Sequence, residues 1–318
     1  MTKWWREIAM TQSVLTIEHV SKQFGRFQAL DQVSFTVEKG DIYGLIGENG
    51  AGKTTLMRLI TGLSPMQHGT VTLLGEQAGH YQHALNRIGA VIESPAAFEK
   101  LTVYQNLRLC AIQHGIQDKQ AITEAIDFVG LKAKQTTKVK HLSLGQKQRL
   151  GLALAILPRP DFLILDEPIN GLDPSGIMEF RQLLKRLNEE QQTTILISSH
   201  ILSELYQVST RFGIIHHGRM IKQLTKAELD KANQSGLAAT VDDTALAAQV
   251  LDQHGYQDFD IIDDHHLLLR QPEVNAAAVN QLLVTSGVGV QDISHQAGSL
   301  EQFYMQLLGQ TEKQEGQA

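Results

Sequence analysis

Residues 47–54 read Gly-Glu-Asn-Gly-Ala-Gly-Lys-Thr, the full spacing G-x-x-x-x-G-K-[ST] of a phosphate-binding loop. The glycines let the backbone turn so that successive N–H groups face one anion, and the helix expected next adds its positive end. In such a loop Lys53 reaches the β- and γ-phosphates, and Thr54 binds Mg²⁺ through its hydroxyl. The predicted phosphate-binding residues are Gly47, Glu48, Asn49, Gly50, Ala51, Gly52, Lys53, Thr54 and Thr55.

An acidic pair, Asp166 and Glu167, is the second feature with chemical potential. It follows the apolar run Phe162–Leu165 and precedes Pro168, whose fixed φ favours a turn. By itself the pair is equally typical of a solvated turn at a strand end. Downstream of a complete phosphate loop, it favours Asp166 as a Mg²⁺ ligand and Glu167 as the group that polarises the attacking water.

Residues 142–149 read Leu-Ser-Leu-Gly-Gln-Lys-Gln-Arg. This segment resembles the signature of the ATP-binding-cassette (ABC) superfamily, which is Leu-Ser-Gly-Gly-Gln followed by a basic helix. Leu144 stands where that signature has a glycine. The segment predicts an ATP-binding anion site formed by Ser143, Gly145 and Gln146 with the amides of the helix N-terminus. Ser143 is also a typical helix N-cap, which is the alternative role.

The resemblance assigns further roles along the chain. His200, after the apolar run 194–198, matches a histidine that senses the γ-phosphate, although a histidine there can also be a polar cap. Asp173 matches a loop that communicates across a dimer. Phe24 matches the aromatic side chain that stacks on adenine, and its alternative is a core position. The resemblance thus implies ATP and Mg²⁺ as cofactors and three catalytic residues, which are Lys53, Glu167 and His200.

Glu93 marks a departure from the family, which usually has Gln at this position, in contact with Mg²⁺ and the attacking water. A carboxylate near Mg²⁺ is chemically reasonable, but it adds a negative charge beside the phosphates. The glutamate resembles the variant in ATPases of peptide-antibiotic exporters, which act in bacitracin resistance and lantibiotic self-protection. The C-terminal segment that contains residues 299–304 resembles the same branch. Glu93 is therefore a predicted metal contact and a predicted coupling residue.

The elements that must position these residues follow from the pattern of residues 14–225. Short apolar runs there alternate with helical periodicity, which predicts a mainly parallel, doubly wound sheet. The resemblance implies an α/β fold of the P-loop NTPase type, an ABC cassette. Such a cassette has a RecA-like core, an antiparallel β subdomain and an α-helical subdomain.

The region after residue 225 has a different pattern. Its apolar runs predict the order β-α-β-β-α-β, which is the split βαβ of a small ferredoxin-like α+β domain. We expect an accessory domain at 226–309 that ends in a helix at 299–308, and a disordered tail at 310–318. The predicted strands and helices are 237–241, 244–254, 259–262, 265–270, 273–286 and 288–294.

The N-terminal extension, residues 1–13, contains both tryptophans, Trp4 and Trp5. They are typical either of an interfacial anchor or of a frayed extension that precedes a true start at Met10.

Composition narrows the function classes. The chain has 318 residues, of which 42% are hydrophobic, and a single cysteine, which excludes an internal disulfide framework and a cysteine zinc site. No apolar run reaches the roughly 18 residues of a membrane helix, and no secretory signal opens the sequence. Residues 226–318 carry a charge balance of −10, whereas residues 1–225 carry +4. The acidic region disfavours nucleic acid as a partner.

The C-terminal region shows no catalytic constellation. Its most suggestive group is Asp263, Asp264, His265 and His266, which could bind a metal. Adjacent residues of a strand point to opposite faces, so a solvated hairpin is favoured. The expected role of the region is regulatory or dimer-supporting.

These features together predict an ATP-hydrolysing subunit of an ABC transporter. One phosphate loop and one signature per chain imply a dimer, expected to be a homodimer, with two composite ATP sites. The resemblance implies a separate permease that carries the substrate and docks near Glu93 and residues 95–139, which places the chain on the cytoplasmic face of the membrane. We expect export of a peptide antibiotic or similar amphiphile. The alternatives are export of another drug or a lipid, a non-transport ABC ATPase, and a non-hydrolysing regulatory subunit.

Overall fold

A computed structural model describes residues 12–77, 81–232, 236–270, 274–296 and 300–315. The predictions for Trp4, Trp5 and Met10 lie outside these residues. The chain divides into two units, Met1–Lys226 and Ala227–Ala318. The expected start of the accessory domain, residue 226, lies beside this division.

The first unit contains two sheets and the helices between their strands. Its strands are β1 (Ser13–Phe24), β2 (Phe27–Glu38), β3 (Ile42–Ile46), β4 (His68–Leu73), β5 (Ile88–Val91), β6 (Phe162–Leu165), β7 (Thr194–Ser199), β8 (Arg211–His216) and β9 (Arg219–Thr225). Its helices are α1 (Lys53–Ile60), α2 (Tyr81–Leu85), α3 (Val103–Gln113), α4 (Lys119–Phe128), α5 (Leu144–Ile156), α6 (Pro174–Gln191) and α7 (Leu202–Tyr206). Short 3₁₀ turns lie at Lys132–Lys134 and Val139–His141.

The larger sheet has the strand order β5-β6-β7-β3-β8-β9. Its first five strands are parallel, and β9 is antiparallel to β8. Every residue of β3, β6 and β7 is buried, as expected for central strands of a parallel sheet that is covered on both faces. The predicted mainly parallel α/β sheet is confirmed. Because the strands are parallel, the loops after β3, β5, β6 and β7 meet at one edge of the sheet.

The smaller sheet is antiparallel, with the order β2-β1-β4. A tight turn at Gly25 and Arg26 joins β1 to β2, so Phe24 and Phe27 pair at the tip of the hairpin. Buried side chains of this sheet share one core with α1 and with β3, β6 and β7.

Helices α3, α4 and α5 form the predicted α-helical subdomain. The periodicity at residues 101–131 resolves into two helices, because Gly115 takes a left-handed φ of 68° just after α3 and Asp118 caps α4. Thr102 and Gln105 form a capping box at the start of α3.

The second unit has the strands β10 (Gly236–Val241), β11 (Phe259–Ile261), β12 (His266–Leu269) and β13 (Val290–Gln296). Helix α8 (Lys226–Ala232) begins at the division between the units, and α9 (Thr244–Gln253), α10 (Ala276–Thr285) and α11 (Leu300–Glu315) follow it. The sheet order is β11-β12-β10-β13, and all neighbouring strands are antiparallel. Parallel strands β10 and β11 are thus split by β12, which confirms the predicted ferredoxin-like order.

The last helix differs from the prediction. It runs to Glu315, whereas the predicted helix ends at Leu308 and is followed by a disordered tail from residue 310. Residues 310–315 include Gln, Glu and Lys, which favour helix, and contain neither Gly nor Pro. A polar composition removes the apolar stripe but not the helix propensity, which is why the hydrophobic pattern underestimates this helix.

No helix among the described residues combines the length and the apolar composition needed to cross a membrane.

Candidate functional site

The phosphate loop joins β3 to α1, as its motif predicts. Gly52, the N-cap of α1, has a φ of 107°, and Gly50 has a φ of 86°. A Cβ atom on Gly52 would lie 2.7 Å from the carbonyl oxygen of Ala29 in β2. Only glycine fits this position, because both the backbone conformation and the close approach of β2 exclude a side chain.

Lys53 is buried, and its ammonium lies at the centre of the site. Its Nζ donates to the carbonyl oxygens of Gly47 at 2.5 Å and Glu48 at 3.0 Å. The same atom lies 3.1 Å from Oε1 of Glu167. The Lys53 ammonium therefore links the phosphate loop to Glu167 of the acidic pair.

Asp166 is held by two hydroxyl groups. Its Oδ2 accepts from Thr54 Oγ1 and its Oδ1 accepts from Ser198 Oγ, each at 2.7 Å. Ser198 Oγ in turn accepts from the backbone N–H of Glu167 at 2.9 Å. The buried carboxylate is thereby fixed in orientation by α1 and by β7.

The donor set of Thr54 and Asp166 fits Mg²⁺. Mg²⁺ prefers oxygen ligands and is usually bound through one or two carboxylates together with nucleotide phosphates and water. The Thr54 hydroxyl and the Asp166 carboxylate supply two adjacent oxygens beside the phosphate loop. These two residues would hold the ion.

Glu167 bridges Lys53 and His200. Its Oε2 lies 2.8 Å from Nδ1 of His200, which follows β7. Its φ of 48° is a left-handed conformation that a non-glycine residue rarely adopts. Strain of this kind is typical of functional sites. The Glu167 carboxylate lies between the basic side chains of Lys53 and His200.

Glu93 follows β5, the strand that pairs with β6, which the acidic pair follows. Val91, two residues earlier, accepts a hydrogen bond from the backbone N–H of Asp166 at 2.8 Å. The Glu93 carboxylate instead lies 2.7 Å from the guanidinium of Arg58 on α1. The partner that the structure shows for this carboxylate is therefore Arg58, and the predicted contact with Mg²⁺ stays a prediction.

The signature segment forms the start of α5. Ser143 caps the helix by accepting from the backbone N–H of Gln146, whose side chain accepts from the backbone N–H of Ser143. The alternative role of Ser143 as an N-cap is thus present in the structure. The N-terminus that it caps is still the one predicted to bind an anion. Leu144 is half-exposed, and a Cβ atom on Gly171 would lie 2.9 Å from its side chain.

Asp173 lies at the start of α6 and Phe24 lies at the end of β1. Asp173 caps α6 by accepting from the backbone N–H of Gly176 at 2.9 Å. Phe24 is 52% exposed at the tip of the β1–β2 hairpin, which excludes the core position that was its alternative. A Cβ atom on Gly52 would lie 2.8 Å from the side chain of Leu30, so strand β2 of the same hairpin passes beside the phosphate loop.

Sequence reasoning misses Ser198 and Arg58. Ser198 reads only as part of an apolar strand, although a buried hydroxyl requires a hydrogen-bond partner and this is the signal that could have found it. Arg58 lies four residues after Thr54, on the same face of α1, but its partner is distant in sequence.

The Asp263–His266 group in the second unit forms a turn. The backbone N–H groups of His265 and His266 each donate to Asp263 Oδ1 at 2.9 Å. The hydrogen bond from the His265 backbone, and then that of the His266 side chain, lower the pKa of Asp263. The described residues contain no cluster of three or more potential metal ligands. Asp263 therefore stabilises the turn through its hydrogen bonds with His265 and His266.

Comparison with known proteins finds relatives of one family. The family described as "ABC transporter" matches residues 30–170. The chain is 36% identical to a bacitracin transport ATP-binding protein of Enterococcus faecalis, over 93% of this chain and 96% of that protein. It is 37% identical to the Bacillus licheniformis counterpart, over 93% and 98%. It is 38% identical to a lantibiotic transport ATP-binding protein of Streptococcus pyogenes, over 65% and 89%.

Solved structures show the same fold. The ATP-binding subunit of an ABC transporter is 30% identical, with a TM-score of 0.61, over 69% of this chain and 92% of that chain. The cassette MJ0796, solved as a dimer in a post-hydrolysis state with ADP and Pi, is 23% identical, with a TM-score of 0.61, over 67% and 98%.

Proposed function

This chain belongs to the ABC transporter family and is an ATP-binding subunit and ATPase of that family; we propose that it powers a separate permease that exports a peptide antibiotic or a similar amphiphile. The observation that carries the proposal is the extent of the similarity to the bacitracin transport proteins. It covers 93% of the chain, which is more than the cassette alone. The family-divergent Glu93 supports the same branch.

The proposed hydrolysis of ATP uses the phosphate loop and Glu167, which the Lys53 ammonium links. On ATP binding, the Lys53 ammonium exchanges its loop carbonyls for β- and γ-phosphate oxygens, while the phosphates take the N–H groups of residues 47–55. Thr54 and Asp166 would hold Mg²⁺, which neutralises charge on the phosphates. Glu167 polarises the attacking water. His200 orients the Glu167 carboxylate and contacts the γ-phosphate.

Two copies of the chain are proposed to form two composite sites. The phosphate loop of one copy and the start of α5 in the other would enclose each ATP. Ser143, Gly145 and Gln146 lie at that helix start, where backbone N–H groups and the helix dipole favour an anion. The MJ0796 cassette, which has the same fold, was solved as a dimer.

The proposed location is the cytoplasmic face of the membrane, on the permease. The permease would contact the region of Glu93 and residues 95–139, where ATP-driven closure could be transmitted. Fractionation of cells with and without the permease would check this. The chain should sediment with membranes only when the permease is present.

The transport proposal is tested by survival of cells that express the chain with its candidate permease. We expect growth in bacitracin or a lantibiotic to require both proteins and to be lost with Glu167→Gln. Arg87→Gln, at the opposite edge of the sheet, serves as the matched control and should retain resistance. Protection against an unrelated drug or a lipid amphiphile, without protection against the peptides, would favour the alternative substrate class.

A further inference from the structure

The ion pair between Arg58 and Glu93 joins two elements of the nucleotide site. Arg58 Nη2 lies 2.7 Å from Glu93 Oε1, and both side chains are about half-exposed. Exposed pairs of this kind contribute little to stability, commonly ~0.2–1 kcal/mol. The significance of this pair therefore lies in where it holds the carboxylate rather than in how much it stabilises the fold.

Both partners are tied to the residues that would hold Mg²⁺. Arg58 lies one helical turn after Thr54, so the two side chains share one face of α1. Glu93 lies two residues after Val91, whose carbonyl accepts from the backbone N–H of Asp166. Thr54 in turn donates to Asp166. Arg58 thus shares α1 with Thr54, and Glu93 follows β5, which pairs with the strand that Asp166 follows.

The backbone at Glu93 adopts a left-handed conformation with a φ of 62°. Non-glycine residues rarely adopt this conformation, so the surrounding structure determines it. With the backbone set, the position of the carboxylate depends on its side-chain torsions and on its partner. In the observed rotamer that partner is the Arg58 guanidinium.

We propose that Arg58 is a positioning residue that competes with Mg²⁺ for the Glu93 carboxylate. While Glu93 is paired with Arg58, its negative charge is neutralised and is held away from the phosphates. When nucleotide and metal are bound, the carboxylate exchanges the guanidinium for the metal. The inference rests on the proposed roles of Thr54 and Asp166 in metal binding.

The competition has a measurable consequence in the affinity for metal. Loss of the guanidinium should free Glu93 for the metal and lower the Mg²⁺ concentration needed for nucleotide binding. The expected shift is about 1.4- to fivefold, the range that an exposed ion pair can supply. Without Mg²⁺, the same variant should bind ATP more weakly, because an uncompensated carboxylate then faces the phosphates.

The experiment is a double-mutant cycle on the full chain, read out by nucleotide binding rather than by turnover. A fluorescent non-hydrolysable ATP analogue is titrated at a series of Mg²⁺ concentrations and in EDTA. The proteins are the wild type, Arg58→Gln, Glu93→Gln and the double variant, with Arg58→Lys as the conservative change. We expect Arg58→Gln to shift the Mg²⁺ midpoint downwards, Arg58→Lys to restore it, and the double variant to match Glu93→Gln.

A matched control separates this effect from the loss of any exposed ion pair. Arg87 and Asp161 form such a pair at 2.8 Å with similar exposure, at the other ends of β5 and β6. Arg87→Gln should leave the Mg²⁺ midpoint unchanged. Thermal unfolding of each variant checks that the fold is retained.

The outcomes distinguish the inference from the function on which it rests. The proposed competition is contradicted if Arg58→Gln does not shift the Mg²⁺ midpoint. It is also contradicted if Arg58→Gln shifts the midpoint equally in the Glu93→Gln and wild-type backgrounds. If the wild type binds nucleotide without any dependence on Mg²⁺, the proposed metal site is wrong as well. A wild type that binds no nucleotide would contradict the proposed function itself.

Discussion

At the scale of single residues, the site depends on side chains that orient the proposed metal-binding and catalytic residues by hydrogen bonds. Ser198 is the clearest case, because its hydroxyl donates to Asp166 and accepts from the backbone of Glu167. One buried hydroxyl therefore orients both members of the acidic pair.

Replacement of Ser198 with Ala should lower kcat and weaken Mg²⁺-dependent nucleotide binding. It leaves a buried Asp166 oxygen with one donor fewer, a change that costs about 1–3 kcal/mol of stability. Ser199→Ala is the control, because the Ser199 hydroxyl contacts Glu204 and the Ile201 backbone instead. Steady-state kinetics with thermal unfolding would measure both effects, and equal losses of kcat in the two variants would contradict the role of Ser198.

Phe24 is expected to act through its exposed ring. Its replacement with Ala should weaken ATP binding by about 1–3 kcal/mol, the contribution of base stacking measured by alanine substitution. Stability should change little, since the ring is 52% exposed. Phe27→Ala, which removes the paired and similarly exposed ring, tests whether any aromatic loss has this effect. Affinity for inorganic triphosphate should be unchanged by Phe24→Ala, because that ligand has no base.

At the scale of elements, helix α5 gives a test of the signature. Ser143 and Thr102 each form a capping box at a helix start. Ser143→Ala and Thr102→Ala should therefore each cost about 1 kcal/mol of unfolding free energy. Only Ser143→Ala should also raise the KM for ATP, since of the two helices α3 and α5 only α5 is proposed to face a phosphate. An equal effect of both variants on KM would leave Ser143 with the capping role alone.

The turn between β11 and β12 predicts a pH dependence of local stability that is confined to this hairpin. Asp263 has a pKa below its ordinary value of 3.8, chiefly because the backbone N–H of His265 and the side chain of His266 hydrogen-bond to it. The ionised carboxylate therefore stabilises the folded hairpin above that pH. This contribution is lost as the pH falls through the lowered pKa.

Hydrogen exchange of residues 259–269 in the full chain, corrected for intrinsic rates, would measure this effect. Protection should fall in acid in the wild type, and Asp263→Asn should be less protected at neutral pH and less sensitive to acid. Asp264→Asn is the control, because Asp264 contacts Thr244 through its backbone carbonyl. A similar loss of protection in both variants would contradict the role of Asp263.

At the scale of the whole molecule, one phosphate loop and one signature imply assembly. Glu167→Gln should bind ATP without turning it over and should accumulate as a dimer. Sedimentation with ATP and Mg²⁺ would detect the dimer, and Lys53→Ala, which loses the phosphate contact, should remain monomeric under the same conditions. A Glu167→Gln protein that binds ATP but remains a strict monomer would contradict the composite sites.

The sequence by itself determined the motifs and the order of the elements. The phosphate loop is recognisable because its residues act together over eight consecutive positions, and the acidic pair and His200 each follow a short apolar strand. The ferredoxin-like order of the second unit was also predictable, since its apolar runs alternate with helical periodicity. Such features are local, and local spacing is what a sequence displays.

The tertiary structure alone decided which side chains meet at the edge of the parallel sheet. Glu93 pairs with Arg58, 35 positions away, and Ser198 reaches Asp166 across 32 positions. These contacts depend on strand order and on rotamers, neither of which a linear spacing contains. The end of α11 is a different case, because its polar residues favour helix locally but do not continue an apolar stripe. The sequence therefore identifies the chemical groups, and the fold decides which of them are in contact.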